Sequence, residues 1–230
     1  MIKISKYLNI EKIDVEQIVK ELFDFNNLGA LSIQDVLTQE AKKELLEGIY
    51  SANPLFWQVP RDIGGKVIQE MKTIYVERVT NHINKFPLFK DCINKLHEEY
   101  SKLYLQISKA AQFAKQNCNS IGIHHYPIGS VGITPHQDYK ADLNLIASFV
   151  VTGDAPFFVC ANRKKAFAKR IDSSPGSVIF MRAARCEEEQ PMRPFHYLVG
   201  PMAKDRYAIL IRTRAKDKMD KLEYNKNASS

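Results

Sequence analysis

Apolar residues along this chain change their period near residue 120. Before that point they recur at three- and four-residue intervals: Ile13, Val15, Ile18, Val19 and Leu22, then Leu45, Leu46 and Ile49, then Ile93, Leu96, Tyr100, Leu103, Ile107 and Ala110. Such spacing lines one face of an α-helix, so helices are expected over about residues 13–22, 43–50 and 89–113. Asp14 and Glu16 stand early in the first, where the helix dipole favours negative charge. Asn53-Pro54 is a turn signal, and Phe56-Trp57-Gln58-Val59-Pro60 reads as a short extended piece. Residues 67–80 fit a strand or a helix equally well.

After residue 120 the pattern breaks into short apolar runs separated by Gly, Pro, Asn and Asp. They cover residues 120–126, 143–152, 156–160, 177–182 and 207–213, the spacing of an antiparallel sandwich or barrel. Beyond Arg214 the chain lacks the apolar residues to pack, so residues 215–230 are expected to fray. A length of 230 residues suits one domain: residues 1–115 as a mainly helical support and 116–214 as a β core.

Composition narrows the class. With 45% hydrophobic and 26% charged residues the chain is ordinary for a globular protein, and no stretch approaches the roughly 20 apolar residues of a membrane span. The first residues lack the apolar run of a secretory signal, so an intracellular, cytoplasmic protein with no membrane partner is expected. Cys92, Cys118, Cys160 and Cys186 form no CxxC pair, which points to free thiols. The net charge of +7 admits nucleic acid as a partner. Its main runs are Arg163-Lys164-Lys165 with Lys169-Arg170, and the tail 216–221. Read as lacking interleaved aromatics, these runs are assigned to solvated surface rather than to a nucleic-acid groove. Nothing in the sequence fixes an oligomeric state.

Candidate chemistry centres on His136-Gln137-Asp138. In an extended segment residues i and i+2 project to one side, so an imidazole and a carboxylate face a common point. A 2-His-1-carboxylate facial triad, which holds non-haem iron(II), needs a second, remote His. His196, in Arg193-Pro194-Phe195-His196-Tyr197, is the candidate. A lone HxD pair is more often a pair of satisfied surface or core residues, so the order of the surrounding pieces matters. No GxGxxG, Walker or nucleophile-elbow pattern occurs, which leaves nicotinamide, nucleotide-hydrolysis and serine-hydrolase chemistry without support.

That order resembles the iron(II)/2-oxoglutarate oxygenases, particularly their AlkB-like branch, over residues 121–214. Ile123-His124-His125-Tyr126-Pro127-Ile128-Gly129 leading through Gly132 to His136-Gln137-Asp138 resembles the family's Tyr-bearing strand, Gly-containing loop and HxD. Ser174-Pro175-Gly176-Ser177-Val178-Ile179-Phe180-Met181 resembles its Pro-Gly turn and apolar strand, and Arg206-Tyr207-Ala208-Ile209-Leu210-Ile211-Arg212 the strand whose arginines receive the co-substrate. The resemblance implies an α+β protein with a double-stranded β-helix, or jelly-roll, core and the helical N-terminal half packed on it. It implies Fe(II) held by His136, Asp138 and His196, with 2-oxoglutarate and O2 completing the coordination. Arg206 is expected to pair with the distal C5 carboxylate through its bidentate fork, with Arg212 as the alternative. Tyr126 is either a hydrogen-bonding partner of the co-substrate or a packed barrel aromatic.

Other residues have weaker claims. His124 and His125 point to opposite faces of their strand, so at most one reaches the cavity. Tyr139 and Lys140 are expected at the rim, Phe157, Phe158 and Phe180 in the core, and Trp57 in a buried structural role. Gly129 and Gly132 are expected to let the backbone turn before the metal motif. In AlkB-like proteins an Asn often stands where this chain has His124, and the His196-to-Arg206 interval is short. Both departures favour hydroxylation of a small metabolite, such as an amino acid or natural-product intermediate. An AlkB-like demethylase of nucleic acid or protein and a non-catalytic jelly-roll binding module are the alternatives.

Overall fold

The computed structural model describes residues 6–113, 116–184 and 193–215; the tail expected to fray lies, but for Ala215, outside them. In chain order the elements are α1 (Val15–Phe23), β1 (Ala30–Ile33), α2 (Gln39–Ser51), β2 (Trp57–Gln58), β3 (Asp62–Ile63), β4 (Val67–Ile68), β5 (Lys72–Tyr75), α3 (Thr80–Ile83) and α4 (Pro87–Ala110). There follow β6 (Ser120–Tyr126), β7 (Ile133–His136), β8 (Asp142–Thr152), β9 (Phe157–Cys160), β10 (Lys169–Ile171), β11 (Val178–Arg182), β12 (Phe195–Leu198) and β13 (Arg206–Arg214). The three expected helices and the five expected strands are all present. Residues 67–80 resolve into β4, β5 and a 3-10 turn, Val76–Arg78.

The strands form a seven-stranded sheet in the order β1-β11-β8-β13-β6-β5-β2, a four-stranded sheet in the order β10-β9-β12-β7, and the small β3-β4 hairpin. Every pairing in the two large sheets is antiparallel. Three strands of the larger sheet, β1, β2 and β5, come from the N-terminal half. That half is therefore built into the sheet as well as carrying helices. Alternation along Ala30–Ile33 is only four residues long, too short for its period to show in the sequence.

Period-two alternation on β13 divides the interior. Tyr207, Ile209 and Ile211 join one apolar cluster with Leu145, Ala147 and Phe149 of β8 and the buried faces of the helices, among them Ile18, Leu45, Leu96 and Tyr100. Ala208 and Leu210 join a second cluster with Tyr126, Ile133, Ile146, Val150, Phe157 and Leu198, drawn from both large sheets. Each buried Leu, Ile or Phe contributes about 1.5–3 kcal/mol, so the two clusters dominate the favourable side of folding. Two of the helices are also capped: Asp14 accepts from Gln17 N at the start of α1, and Thr38 from Ala41 N at the start of α2. No helix among the described residues is long and apolar enough to cross a membrane.

Candidate metal centre

β7 ends on His136, and its antiparallel pairing with β12 sets His196 directly opposite. The two rings lie with centroids 4.3 Å apart. Asp138 follows two residues on, with its Oδ2 3.5 Å from His196 Nε2. One ligand atom from each of the three falls within 4.8 Å of the others, so the strand register brings the expected triad together. Gln137 turns the other way: its Nε2 donates to Arg193 O at 2.7 Å, and Arg193 Nη2 donates to its Oε1 at 2.8 Å. That reciprocal pair ties the HxD segment to the approach of β12.

The protonation states suit a cation. His136 Nδ1 lies 2.9 Å from Thr134 O, and a carbonyl only accepts, so Nδ1 carries the hydrogen and Nε2 keeps its lone pair. Burial, reinforced by His196, pushes His136 down to about 4. Burial alone would raise Asp138, but His196, Arg212, His136 and His124 hold it down to about 2. Two imidazoles and one carboxylate, convergent, with His196 buried and His136 and Asp138 half-buried, form an N/N/O donor set of the kind that non-haem iron(II) takes. His196 Nδ1 is buried without a partner, and the Phe157 ring stacks beside His196 with centroids 5.6 Å apart.

The triad opens on a cavity of about 320 Å³ between the two large sheets. Arg206, Arg212 and Arg214, which share parity on β13, all line it, but their surroundings differ. Arg214 is spoken for: Nε donates to Asp142 Oδ1 at 2.7 Å, and Nη1 lies 3.3 Å from Glu77 Oε1. Arg212 is 3% exposed and keeps an unpartnered Nε. Burial works against its charge, yet Asp142, Tyr75 and Asp138 hold its pKa above the ordinary value. Arg206 is 2% exposed, pairs in register with Tyr126, and leaves both Nε and Nη2 unpartnered. Burial lowers it to about 10, with Tyr126 acting against that shift. A buried guanidinium with orphaned donors is costly and calls for an anion.

His124 lines the cavity with a buried, unpartnered Nε2, whereas His125 faces the other side of the sheet and bonds Asp205. Burial, with Arg212 beside it, holds His124 well below the ordinary imidazole range. Tyr126 lines the cavity, and Tyr139 stands exposed at its rim, while Lys140 is not part of the lining. Trp57 also stays outside it, against Tyr75 with ring centroids 5.7 Å apart. The three Phe residues divide: Phe180 lies in the helix-side core, Phe158 stacks on Tyr197 at 4.8 Å, and Phe157 lines the cavity. Phe157 is buried in the second apolar cluster as expected and lines the cavity as well, whereas the core expectation is corrected for Phe158, which is half-buried and in neither cluster because β9 alternates. Residues of the first half that carry no local sequence signal also line the cavity, namely Ile63, Val67, Gln69, Met71 and Tyr75.

The basic run between β9 and β10 needs a second correction. Phe167 lies within it, between Lys165 and Lys169, and is 84% exposed at a φ of 52°. Arg163 lines the cavity and donates Nη1 to Pro135 O at 3.0 Å and Lys66 O at 3.2 Å. Lys165 Nζ sits 4.5 Å over the Tyr197 ring, and Lys169 Nζ donates to Asn27 Oδ1 at 2.8 Å. None of these cations joins an ion pair among the described residues.

No protein-family model matches the chain, and no curated protein matches it. Solved structures do. A prolyl hydroxylase from Trichoplax adhaerens, in complex with a hypoxia inducible factor oxygen degradation domain peptide fragment, aligns over 94% of this chain and 92% of its own with a TM-score of 0.60 and 16% identity. A Pseudomonas putida prolyl-4-hydroxylase aligns over 88% of this chain and 100% of its own, with a TM-score of 0.64 and 9% identity. The non-heme alpha ketoglutarate dependent carbocyclase SnoK from nogalamycin biosynthesis aligns over 89% of this chain and 85% of its own, with a TM-score of 0.61 and 13% identity. At such identities the likeness is one of fold, and it takes in the N-terminal strands and helices together with the strands that carry the triad.

Proposed function

We propose that the protein is an iron(II)- and 2-oxoglutarate-dependent oxygenase whose two large sheets form a double-stranded β-helix around the active site. One observation carries the reading: a convergent His136, Asp138 and His196 set shares its cavity with the buried, unpartnered Arg206. A cation site and an anion site at two places in one cavity suit a dicarboxylate that chelates a metal. A metal held by His136, Asp138 and His196 would supply, with 2-oxoglutarate and O2, oxidative decarboxylation to succinate and carbon dioxide with oxygen transfer to a substrate C–H bond.

The chain's own residues do the rest. Thr134 O fixes the His136 tautomer, and Gln137 with Arg193 steadies the motif. Arg206 receives the distal carboxylate by a charge-assisted fork, with Tyr126 at its side. Arg212, six positions along the same strand face and electrostatically coupled to Asp138, is placed for the carboxylate on the metal side. A carboxylate at position 138 favours hydroxylation, because halogenation needs that ligand place vacated for halide.

The substrate we favour is a small metabolite, such as an amino acid or natural-product intermediate, entering past Ile63, Val67 and Tyr139. Exposure of Phe167 among cations supports a second reading, an AlkB-like demethylase of nucleic acid or protein. The test for the shared chemistry is iron-dependent succinate formation from 2-oxoglutarate, with metal binding measured alongside. Wild type is expected to turn over, while His196→Ala and Asp138→Ala lose both metal and turnover. Equal iron affinity and turnover in His196→Ala would overturn the triad, and no succinate from iron-loaded wild type would favour a non-catalytic binding module.

A further inference from the structure

We infer that His125 and Asp205, on the face of the large sheet away from the cavity, are positioning residues for Arg206; the inference rests on the reading of Arg206 as the carboxylate partner of 2-oxoglutarate. Arg206 is the first residue of β13, a strand end, where backbone pairing opens most readily. Its guanidinium is buried with two nitrogens that no protein group partners, and fraying of the strand end would carry the side chain to water.

Asp205 opposes that fraying. Its Oδ2 lies 2.8 Å from His125 Nε2 and its Oδ1 accepts Ile128 N at 2.9 Å, so one carboxylate ties the start of β13 to β6 and to the segment just beyond Tyr126. Those bonds flank the Arg206–Tyr126 pair of the ladder. His125 is itself held, with its ring flat on Tyr207 at 4.3 Å and 11°, and Phe56 set edge-on at 5.8 Å. From the other side Gly153, at a φ of 97°, presses its backbone on Arg206, where a Cβ would collide with the Arg206 Cα. The Arg206 backbone is thus fixed between Gly153 and the His125–Asp205 bond. The pair faces away from the cavity and touches none of the three metal ligands, so its route to the chemistry runs through Arg206.

A purely structural pair would lower stability and leave ligand affinities alone. The test is calorimetric titration of 2-oxoglutarate into the full chain loaded with manganese(II), which accepts the same donor set, with manganese affinity measured separately. Asp205→Ala is expected to weaken 2-oxoglutarate about tenfold while manganese affinity stays within about twofold. Asp205→Asn, which still accepts from Ile128 N and can bond the imidazole through its amide, should recover most of that loss. Thr38→Ala, which removes the cap of α2 far from the cavity, serves as a stability control and should lower Tm without changing 2-oxoglutarate affinity. Unchanged 2-oxoglutarate affinity in Asp205→Ala, or a parallel loss of manganese affinity, overturns the inference. Arg206→Lys separates the two levels: an effect there with none at Asp205→Ala sinks the inference alone, whereas no effect at either sinks the reading of Arg206 and the inference with it.

Discussion

His136 and His196 are direct partners across the β7–β12 ladder, so the metal site is a property of one strand register. Sliding β12 by a single residue would turn His196 out of the cavity, because side chains alternate faces. Two glycines guard that register. Gly132 has a φ of 75°, and a Cβ there would collide with Leu198 O, while one on Gly200 would collide with Ser130 O.

Gly132→Ala is therefore expected to destabilise the protein by about 3 kcal/mol, from the left-handed backbone and the forced separation of β7 from β12. Metal affinity should fall with it, because the histidines ride on those strands. Gly65→Ala, at a similar φ of 68° but with open space around it, isolates the backbone strain alone. Equal losses in chemical denaturation for the two variants would show that the close approach contributes nothing.

Arg206→Lys keeps the charge but loses the fork, and should weaken 2-oxoglutarate by about tenfold or more, equivalent to about 1.4 kcal/mol. The same substitution at Arg212 also disturbs Tyr75 and the field at Asp138, so it should alter turnover more than distal-carboxylate affinity. Comparing 2-oxoglutarate with a monocarboxylate 2-oxo acid in both variants checks the division. Loss of discrimination at Arg212→Lys, with none at Arg206→Lys, would exchange the two roles.

Much of the cavity was legible because its chemistry is written in short, local signals. HxD spacing, the parity of Arg206, Arg212 and Arg214, and the opposed faces of His124 and His125 all follow from a period of two. What stayed hidden depends on pairing between distant segments. The reservation of Arg214 for Asp142 and Glu77 joins residues far apart in the chain, so parity alone did not separate it from its neighbours. The strands β1, β2 and β5 are two to four residues long, and only hydrogen bonding to β11 and β6 makes them part of the large sheet. Phe167 sits in a run dominated by its charges, and its exposure is a fact of the turn that presents it.

The N-terminal segment gives a pH prediction. Glu44 is held down to about 2, first by its hydrogen bond from Lys6 at 2.6 Å, then by the Tyr7 hydroxyl. Since the folded value lies below the ordinary 4.5, its contribution is complete above pH 4.5 and is lost as pH falls toward 2. Glu44→Gln should lower Tm at pH 7 and remove part of the acid-side decline, read from thermal melts across that interval. Parallel pH curves for wild type and variant would contradict the assignment.

Substrate class sets two structural features against each other. The exposed Phe167 offers a stacking face, worth about 1–3 kcal/mol for one base, on a hairpin that carries five cations. Three of those cations are already engaged: Arg163 with two carbonyls, Lys165 over Tyr197 and Lys169 with Asn27. Of the five, Lys164 and Arg170 alone have no side-chain partner among the described residues, so the hairpin holds most of its cations against the protein rather than out toward a polyanion. The cavity, by contrast, lies between the sheets and offers apolar residues beside the triad, as a small substrate requires. Methylated single- and double-stranded oligonucleotides are therefore expected to bind weakly and to leave 2-oxoglutarate consumption at its uncoupled rate, while a member of an amino-acid and natural-product panel raises it. Phe167→Ala should reduce the weak oligonucleotide binding without touching metabolite turnover. Stoichiometric demethylation of any such oligonucleotide, lost in Phe167→Ala, would assign the hairpin to substrate binding and replace the metabolite reading, leaving the metal and co-substrate assignments in place.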